Sequence, residues 1–558
     1  MGATENPIRA FCEAAIATAP EFKLGEVELD GVTYPVFENA PPTLGALYAH
    51  AAATYGDDTL IVYNDRRMSF AEADAASCQA ADALQRTGVK PGDPVAIAMR
   101  NLPEWILAYM AITRLGAVAV PMNAWWQTAE LDYAFGDCGA RVAFADVQRA
   151  ERLIPIAGPR GLTVITADGE AAGAMTWDAF VATGDAGAEV PGAAPDDLGT
   201  IFYTSGSTGA PKGVMTTHRA TIQALMEWAL LTTADRTVRG VGPAEGRQLG
   251  LLMTVPLFHV TGCNAMFLLS VLGGQKMVIM HRWNVDKALE LIETEHLTAF
   301  NGVPSMSFEL ARAAKESGRD LSSLYAVSGG GAARPAAHVP VIDEAFEHVK
   351  PSIGYGMTET SAMGTANAGQ LYEGRPDSVG QACFPLVDIR IVEEDGTDCA
   401  PGEAGEIWIK SITNMRGYLN QAQATAETLE AGYVKSGDVG YVDDEGFVYI
   451  VDRIKDIVIR GGENISCQEV ENALYEHPEV AEAAVFGLPD EALGEKVVAV
   501  VSAGADVSGD ALRGFLGQRL AHFKVPAHIE VRGEPLPKTA SAKIFKRALR
   551  EAALEASA

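Results

Sequence analysis

Residues 203–213 read Tyr203-Thr204-Ser205-Gly206-Ser207-Thr208-Gly209-Ala210-Pro211-Lys212-Gly213 and follow an apolar, strand-like run at 200–203. Glycines let backbone N–H groups converge on anionic oxygens, the hydroxyls donate further hydrogen bonds, and Lys212 adds a point charge. The loop is therefore suited to a polyphosphate. Its spacing is not the G-x-x-x-x-G-K-[ST] pattern of NTPase loops, and on composition alone it reads more readily as a flexible surface linker. Further along, Gly354-Tyr355-Gly356-Met357-Thr358-Glu359-Thr360 offers two glycines for close approach to a flat ligand and an aromatic stacking face. Its hydroxyl and carboxylate suit phosphate and magnesium. Ser436-Gly437-Asp438-Val439-Gly440 presents a carboxylate on a turn, able to accept from two vicinal hydroxyls, and Arg453 can add donors. Taken singly, each of these reads more simply as a turn, a cap or a solvated charge.

Their order along the chain changes that reading. TSGSTGAPKGV resembles, nearly letter for letter, the phosphate loop of the adenylate-forming superfamily of acyl-CoA synthetases, luciferases and peptide-synthetase adenylation domains. The run from Tyr355 to Glu359 is similar to its YGxTE motif, and Pro537-Lys538-Thr539-Ala540-Ser541-Ala542-Lys543-Ile544 to its PKTxSGKI motif. The resemblance spans residues 40–550 and implies a two-step ligase using ATP, Mg²⁺ and coenzyme A. A carboxylate first attacks the α-phosphorus to give acyl-AMP and pyrophosphate. The CoA thiol then displaces AMP.

By the resemblance, Thr204, Ser205, Gly206, Ser207, Thr208, Gly209 and Lys212 hold phosphates. Gly329, Gly330, Gly331, Tyr355 and Gly356 face adenine, Thr358 touches the α-phosphate, and Glu359 binds Mg²⁺. Asp438 and Arg453 meet the ribose, and Lys543 bridges the substrate carboxylate and the α-phosphate. Lys455 is the hinge about which a C-terminal domain turns between half-reactions. Gly461 and Gly462 lie near the CoA pantetheine, and His259, Asn301, Gly302, Val303 and Met363 line the acyl pocket. Two departures stand out. Ala542 replaces the family's glycine, where positive φ is costly, and Cys467 stands where proline is usual and reads as structural. The regions 123–126 and 370–378 look most like those of medium- or long-chain fatty acyl-CoA ligases. Aryl acids of the coumarate or ferulate kind are the alternative, followed by a carrier-protein-loading adenylation enzyme. A non-catalytic nucleotide-binding scaffold would be expected to have lost Lys543 or Glu359.

The elements that must position these residues follow from patterning. At 558 residues with 48% hydrophobic and 21% charged residues, the chain has the balance of a soluble globular enzyme of several domain-sized units. A net charge of −30 disfavours nucleic acid and anionic lipid as partners. Seven scattered cysteines without a C-x-x-C pair fit a reducing cytoplasm better than a disulfide framework or a zinc site. The N-terminus lacks a basic n-region, and the uncharged window 249–272 is broken by Pro256, His259, Gly262 and Asn264. We read that window as strand, turn and buried helix, with no integral membrane segment.

Asn101 with Glu104 predicts an N-cap pair for a helix over 104–115 ended by Gly116, with a strand at 117–120. A looser stretch covers 184–197, and short strands with Gly and Asp turns fill 387–450. Four charges within 452–456 mark a junction. Beyond it Ser466 and Glu469 predict a capping box, 497–501 a strand, and 511–520 and 544–554 helices. The expectation is an α/β fold, with a large N-terminal domain over 1–452 made of two βαβ-type subdomains and a small β-barrel. A hinge joins it to a small α+β domain over 453–558. The sequence leaves a homodimer open.

Overall fold

The computed structural model describes residues 6–204, 211–332, 334–346, 348–490, 493–504, 507–540 and 542–557. Short apolar runs such as Val142–Ala145 and Gly250–Met253 are buried along their whole length, as strands covered on both faces must be. They assemble into two large sheets. One has eight strands in the order Gly417–Tyr418, Lys212–Thr217, Leu198–Thr204, Val118–Pro121, Pro94–Ala98, Val142–Ala145, Thr163–Thr166, Met175–Thr176, parallel from Leu198–Thr204 onward. The other has nine, in the order Gln381–Ala382, Gly364–Ala368, Lys350–Gly356, Ala326–Gly330, Ala299–Gly302, Gly250–Met253, Lys276–Ile279, Thr59–Tyr63, Arg66–Ser69. Its five inner pairings, from Lys350–Gly356 to Thr59–Tyr63, are parallel. A third sheet of five short antiparallel strands lies within Asp388–Val392 to Val448–Arg453, where the glycine and aspartate turns predicted it. Together these sheets form a large lobe.

A separate five-stranded sheet begins at Val458–Arg460 and ends at His528–Arg532. It carries the helices Cys467–Tyr475, Gly509–Leu516 and Lys546–Ser557 and forms a small lobe. The expected strand at 497–501 is the centre of a longer one, Gly494–Ala503. The window 249–272 folds as strand Gly250–Met253, a π-helix Thr261–Leu268 and a helical turn Leu269–Leu272. Among the described residues no helix is long and apolar enough to cross a membrane.

Two local expectations are corrected. The helix Pro103–Leu115 begins with Leu102 at its N-cap, where no side chain caps the backbone, although Gly116 ends it in the left-handed region at φ 81°. Asn101 is instead drawn into tertiary bonds, its Nδ2 donating to Val255 O at 2.9 Å and its Oδ1 accepting from Leu257 N–H at 2.8 Å. Glu104 pairs with Arg66. In the small lobe, Ser466 does cap Cys467–Tyr475 by accepting from Glu469 N–H at 3.0 Å, but the Glu469 carboxylate turns to Lys524 and so does not close the box.

Candidate active site

In open α/β sheets ligands sit beyond the carboxyl ends of the strands, and several of the singled-out residues of the large lobe occupy such ends. Thr204 closes Leu198–Thr204 and is register partner to Lys212, which opens the next, antiparallel strand. Ser205, Gly206, Ser207, Thr208 and Gly209 lie outside the described residues. Asn301 and Gly302 end Ala299–Gly302, with Val303 the N-cap of Pro304–Ser317; Gly329 and Gly330 end Ala326–Gly330, and Tyr355 and Gly356 end Lys350–Gly356. Gly356 is required by space, since a Cβ there would lie 2.5 Å from Ala362 O. Just beyond, Ser361 and Ala362 both take left-handed backbone, at φ 56° and 67°, a strained pair pinned by Ser361 Oγ donating to Thr413 O.

Two polar constellations result. In the first, Glu359 is 7% exposed and its Oε1 accepts from Tyr418 Oη–H at 2.8 Å. The Lys212 ammonium lies over the Tyr418 ring, 4.6 Å from its centroid. Burial raises the Glu359 carboxyl above its ordinary range, while the Tyr418 hydroxyl and Lys212 pull it back. Thr358, half-buried, starts the 3₁₀ turn Thr358–Thr360 that carries Glu359. No group of three or more His, Cys, Asp or Glu among the described residues is placed to hold a metal. A single buried carboxylate suits Mg²⁺, which binds through one or two carboxylates and takes its other ligands from water and substrate phosphates.

In the second, Asp438 is 5% exposed. Its Oδ2 accepts from Tyr355 Oη–H at 2.7 Å and its Oδ1 forms an ion pair with Arg453 Nε at 3.1 Å, across a strand pair that sets Asp438 and Arg453 opposite each other. A carboxylate has about four acceptor positions, so two remain open. Lys543 reaches this place from the small lobe. A methyl group built on Gly331, at φ 75°, would lie 3.6 Å from Lys543 Cε and 3.7 Å from Nζ. Burial, reinforced by the Arg453 charge, brings the Lys543 ammonium down to about 8. The His259 imidazole also feels Lys543. Burial first and that charge second push it down to about 3, so it is neutral, and its Nδ1 is buried without a partner.

The loop bearing Lys543 is tied to itself: Thr539 N–H donates to Lys543 O at 2.7 Å, and Lys538 bridges to Ile544. Ala542 within it adopts φ 62°, the conformation for which glycine is suited. Of the remaining candidates, Met363 is fully buried against Ala224 and Cys383. Lys455 is exposed in the turn between Val448–Arg453 and Val458–Arg460. Gly461 and Gly462, at φ 62° and 90°, form an exposed hairpin tip. Cys467 is buried, its thiol donating to Asp456 O and raised by burial, an inert packing residue. Sequence reasoning missed Tyr418, which links Glu359 and Lys212; no motif flags a tyrosine in a two-residue strand.

Residues 48–419 match the family described as AMP-binding enzyme, and residues 469–543 match the AMP-binding enzyme C-terminal domain. A feruloyl-CoA synthase of Amycolatopsis is 34% identical over 88% of this chain and 95% of its own length. A long-chain-fatty-acid–CoA ligase of Mycobacterium tuberculosis is 32% identical over 87% and 93%. Among solved structures, the o-succinylbenzoate CoA synthetase of Bacillus subtilis in complex with its acyl-adenylate intermediate superposes with a TM-score of 0.77. It is 30% identical, covering 90% of this chain and 97% of its own.

Proposed function

This chain belongs to the AMP-binding enzyme family, and on that premise we propose that it is an acid–CoA ligase, converting a carboxylic acid with an apolar or aromatic tail into its acyl-CoA by way of acyl-AMP. The observation that carries this reading is the Lys543 amine over Gly331, beside the Tyr355–Asp438–Arg453 group. That is an amine brought from one lobe to a polar cradle on the other. Adenine would lie along Gly329–Gly331 and Tyr355, and the ribose hydroxyls would take the two open acceptor positions of Asp438. The triphosphate would meet Thr204, Lys212 and Thr358.

In the first step the substrate carboxylate oxygen bonds to the α-phosphorus, and the bond to pyrophosphate breaks. Negative charge grows on the transferred and departing oxygens, and Lys543 and Lys212 offset it without any proton transfer. Mg²⁺, held by the Glu359 carboxylate, would supply further charge neutralisation on the phosphates. In the second step the CoA sulfur bonds to the acyl carbon, its proton is lost, and AMP leaves. We assign to this step a turn of the small lobe about Lys455 that withdraws Lys543 and brings Gly461 and Gly462 toward the acyl end.

For the acid, support comes from the buried apolar side chains Leu257, Phe258 and Val303, which the family resemblance assigns to the acyl pocket, and from His259, whose neutral imidazole offers no charge to a second carboxylate. The test is acid-dependent exchange of labelled pyrophosphate into ATP, over fatty acids of graded length and cinnamic acids, followed by product analysis with and without CoA. Exchange with at least one of these acids and an acyl-CoA product are expected. Absence of exchange with every acid from the folded protein would falsify the reading.

A further inference from the structure

The strand Tyr433–Val442, which carries Asp438, is irregular where that carboxylate leaves it. Against the neighbouring strand Gly405–Lys410, Glu406 faces Val439 and Trp408 faces Lys435, so Ser436, Gly437 and Asp438 bulge opposite Ile407. A bulge bends its strand, re-aims a side chain and leaves backbone groups outside the ladder. Gly437 makes this bend by taking φ 71°. A Cβ there would meet nothing within 4 Å, so glycine is needed for its backbone freedom and not for space.

The freed backbone groups are taken up from three directions. Asp438 N–H donates to Ser436 Oγ at 3.0 Å, and Gly437 O accepts from Ile454 N–H at 3.0 Å. Gly437 N–H donates to Glu406 Oε1 at 2.9 Å, and the other oxygen of that carboxylate accepts from Trp408 Nε1–H at 2.9 Å. Glu406 is half-buried and the Trp408 indole is 7% exposed, so the carboxylate is oriented by a side chain that is itself packed in place. A carboxylate suits this position because both partners are N–H donors. A glutamine could accept from one of them and would present its own N–H groups to the other.

The three restraints respond differently to a turn of the small lobe. Ile454 lies in the connection between Val448–Arg453 and Val458–Arg460, and its N–H moves with that connection. Ser436 belongs to the bulge and moves with it. Glu406 and Trp408 sit on a strand paired on both sides, to Asp388–Val392 and to Tyr433–Val442, inside the large lobe. Of the three, theirs is the bond tied to a part of the molecule that the turn leaves in place. AMP stays bound through acyl-AMP formation and thioester formation alike, so a carboxylate that reads its ribose has to keep its aim in both.

We infer that Glu406 is a positioning residue for nucleotide recognition. Acting through the Gly437 peptide, it holds the bulge that aims Asp438 at the ribose hydroxyls in both half-reactions. The inference rests on the acid–CoA ligase reading above, in which Asp438 meets the ribose. The test compares ATP with 2′-deoxy-ATP in pyrophosphate exchange, and acyl-AMP with its 2′-deoxy counterpart in thioester formation. The proteins compared are the wild type, Glu406→Ala, Glu406→Gln and Trp408→Phe.

In kcat/KM the wild type should favour the ribonucleotide roughly tenfold or more, the range for losing a hydrogen bond to a charged group. Glu406→Ala should bring that preference toward one and raise KM for ATP and for acyl-AMP about tenfold, with kcat kept within about threefold. Glu406→Gln and Trp408→Phe each keep an acceptor for Gly437 N–H and should lie between the two. If Glu406→Ala misfolds, the same ratio in these two variants decides the matter. A role in stability alone would lower Tm and slow the ribo- and deoxyribonucleotide alike. That pattern, an unchanged preference, or a KM rise confined to one half-reaction would overturn the inference. Absence of exchange from the wild type with every acid defeats the ligase reading instead, and calorimetric binding of ATP against 2′-deoxy-ATP then still tests Glu406.

Discussion

Lys543 joins an elementary electrostatic cost to a chemical use. Withdrawn from water and set beside Arg453, its ammonium is held near 8, so it is charged at neutral pH and loses its proton just above. Acyl-AMP formation is therefore expected to carry a basic limb: kcat/KM for ATP, followed by pyrophosphate exchange, should fall above about pH 8. Lys543→Arg should move that limb upward and Lys543→Ala should remove most of the exchange; an unshifted limb in the arginine variant would assign it to another group. Next to it, Ala542 shows how far a one-letter departure from a pattern can be read. The family's glycine predicts positive φ, and the alanine adopts it at 62°. Ala542→Gly should then stabilise the protein by about 0.5–1 kcal/mol in urea unfolding, relief of the left-handed strain exceeding the added chain entropy. A destabilised variant would mean that loop stiffness outweighs the strain.

At the level of elements, what was legible in the sequence is what chemistry or local pattern dictates. Gly329 to Gly331, the run from Tyr355 to Glu359 and Arg453 sit on strand ends or turns, because a ligand's needs fix residue type and spacing; Asp438, expected on a turn, lies instead within the strand Tyr433–Val442. Asn101 was misread since Asn-x-x-Glu is a local signal, and its actual partners lie 154 and 156 positions away. Tyr418 is 59 positions from Glu359 and became visible only when strand order brought the two together. Another such feature is Glu227 in the helix His218–Arg239, fully buried near Cys12 and Cys383, with neither carboxylate oxygen in a well-formed hydrogen bond. Burial raises it from 4.5 to about 8, against a smaller pull from the Leu386 amide. The unfolded chain releases this proton near 4.5 and the folded chain only near 8, so stability is lost as pH rises between those values. Glu227→Gln should remove that slope, leaving a gain on the order of a few kcal/mol at pH 8.5 that is much smaller at pH 5.5, measured by thermal unfolding.

Across the whole molecule, the two lobes keep separate apolar interiors. Every hydrophobic cluster among the described residues lies wholly before 453 or wholly after 457. What joins them is sparse: the Lys543 amine over Gly331, Ser466 Oγ donating to Val451 O, Gln468 N–H donating to Asp452, and the His338 and Tyr475 rings with centroids 5.7 Å apart. Contacts of this kind can be broken and remade without exposing a core, which a turning lobe requires. Lys455→Pro, which fixes φ in the connecting turn, should leave exchange largely intact and slow thioester formation roughly tenfold or more. Equal rates in both half-reactions would remove the hinge from the scheme. Because Arg453, Ile454 and Lys455 are solvent-exposed and each lobe is internally complete, a single protease nick between them should yield two intact fragments. Neither fragment would activate an acid alone, and the speed of cutting would report, from outside, how firmly bound ligand clasps the halves together.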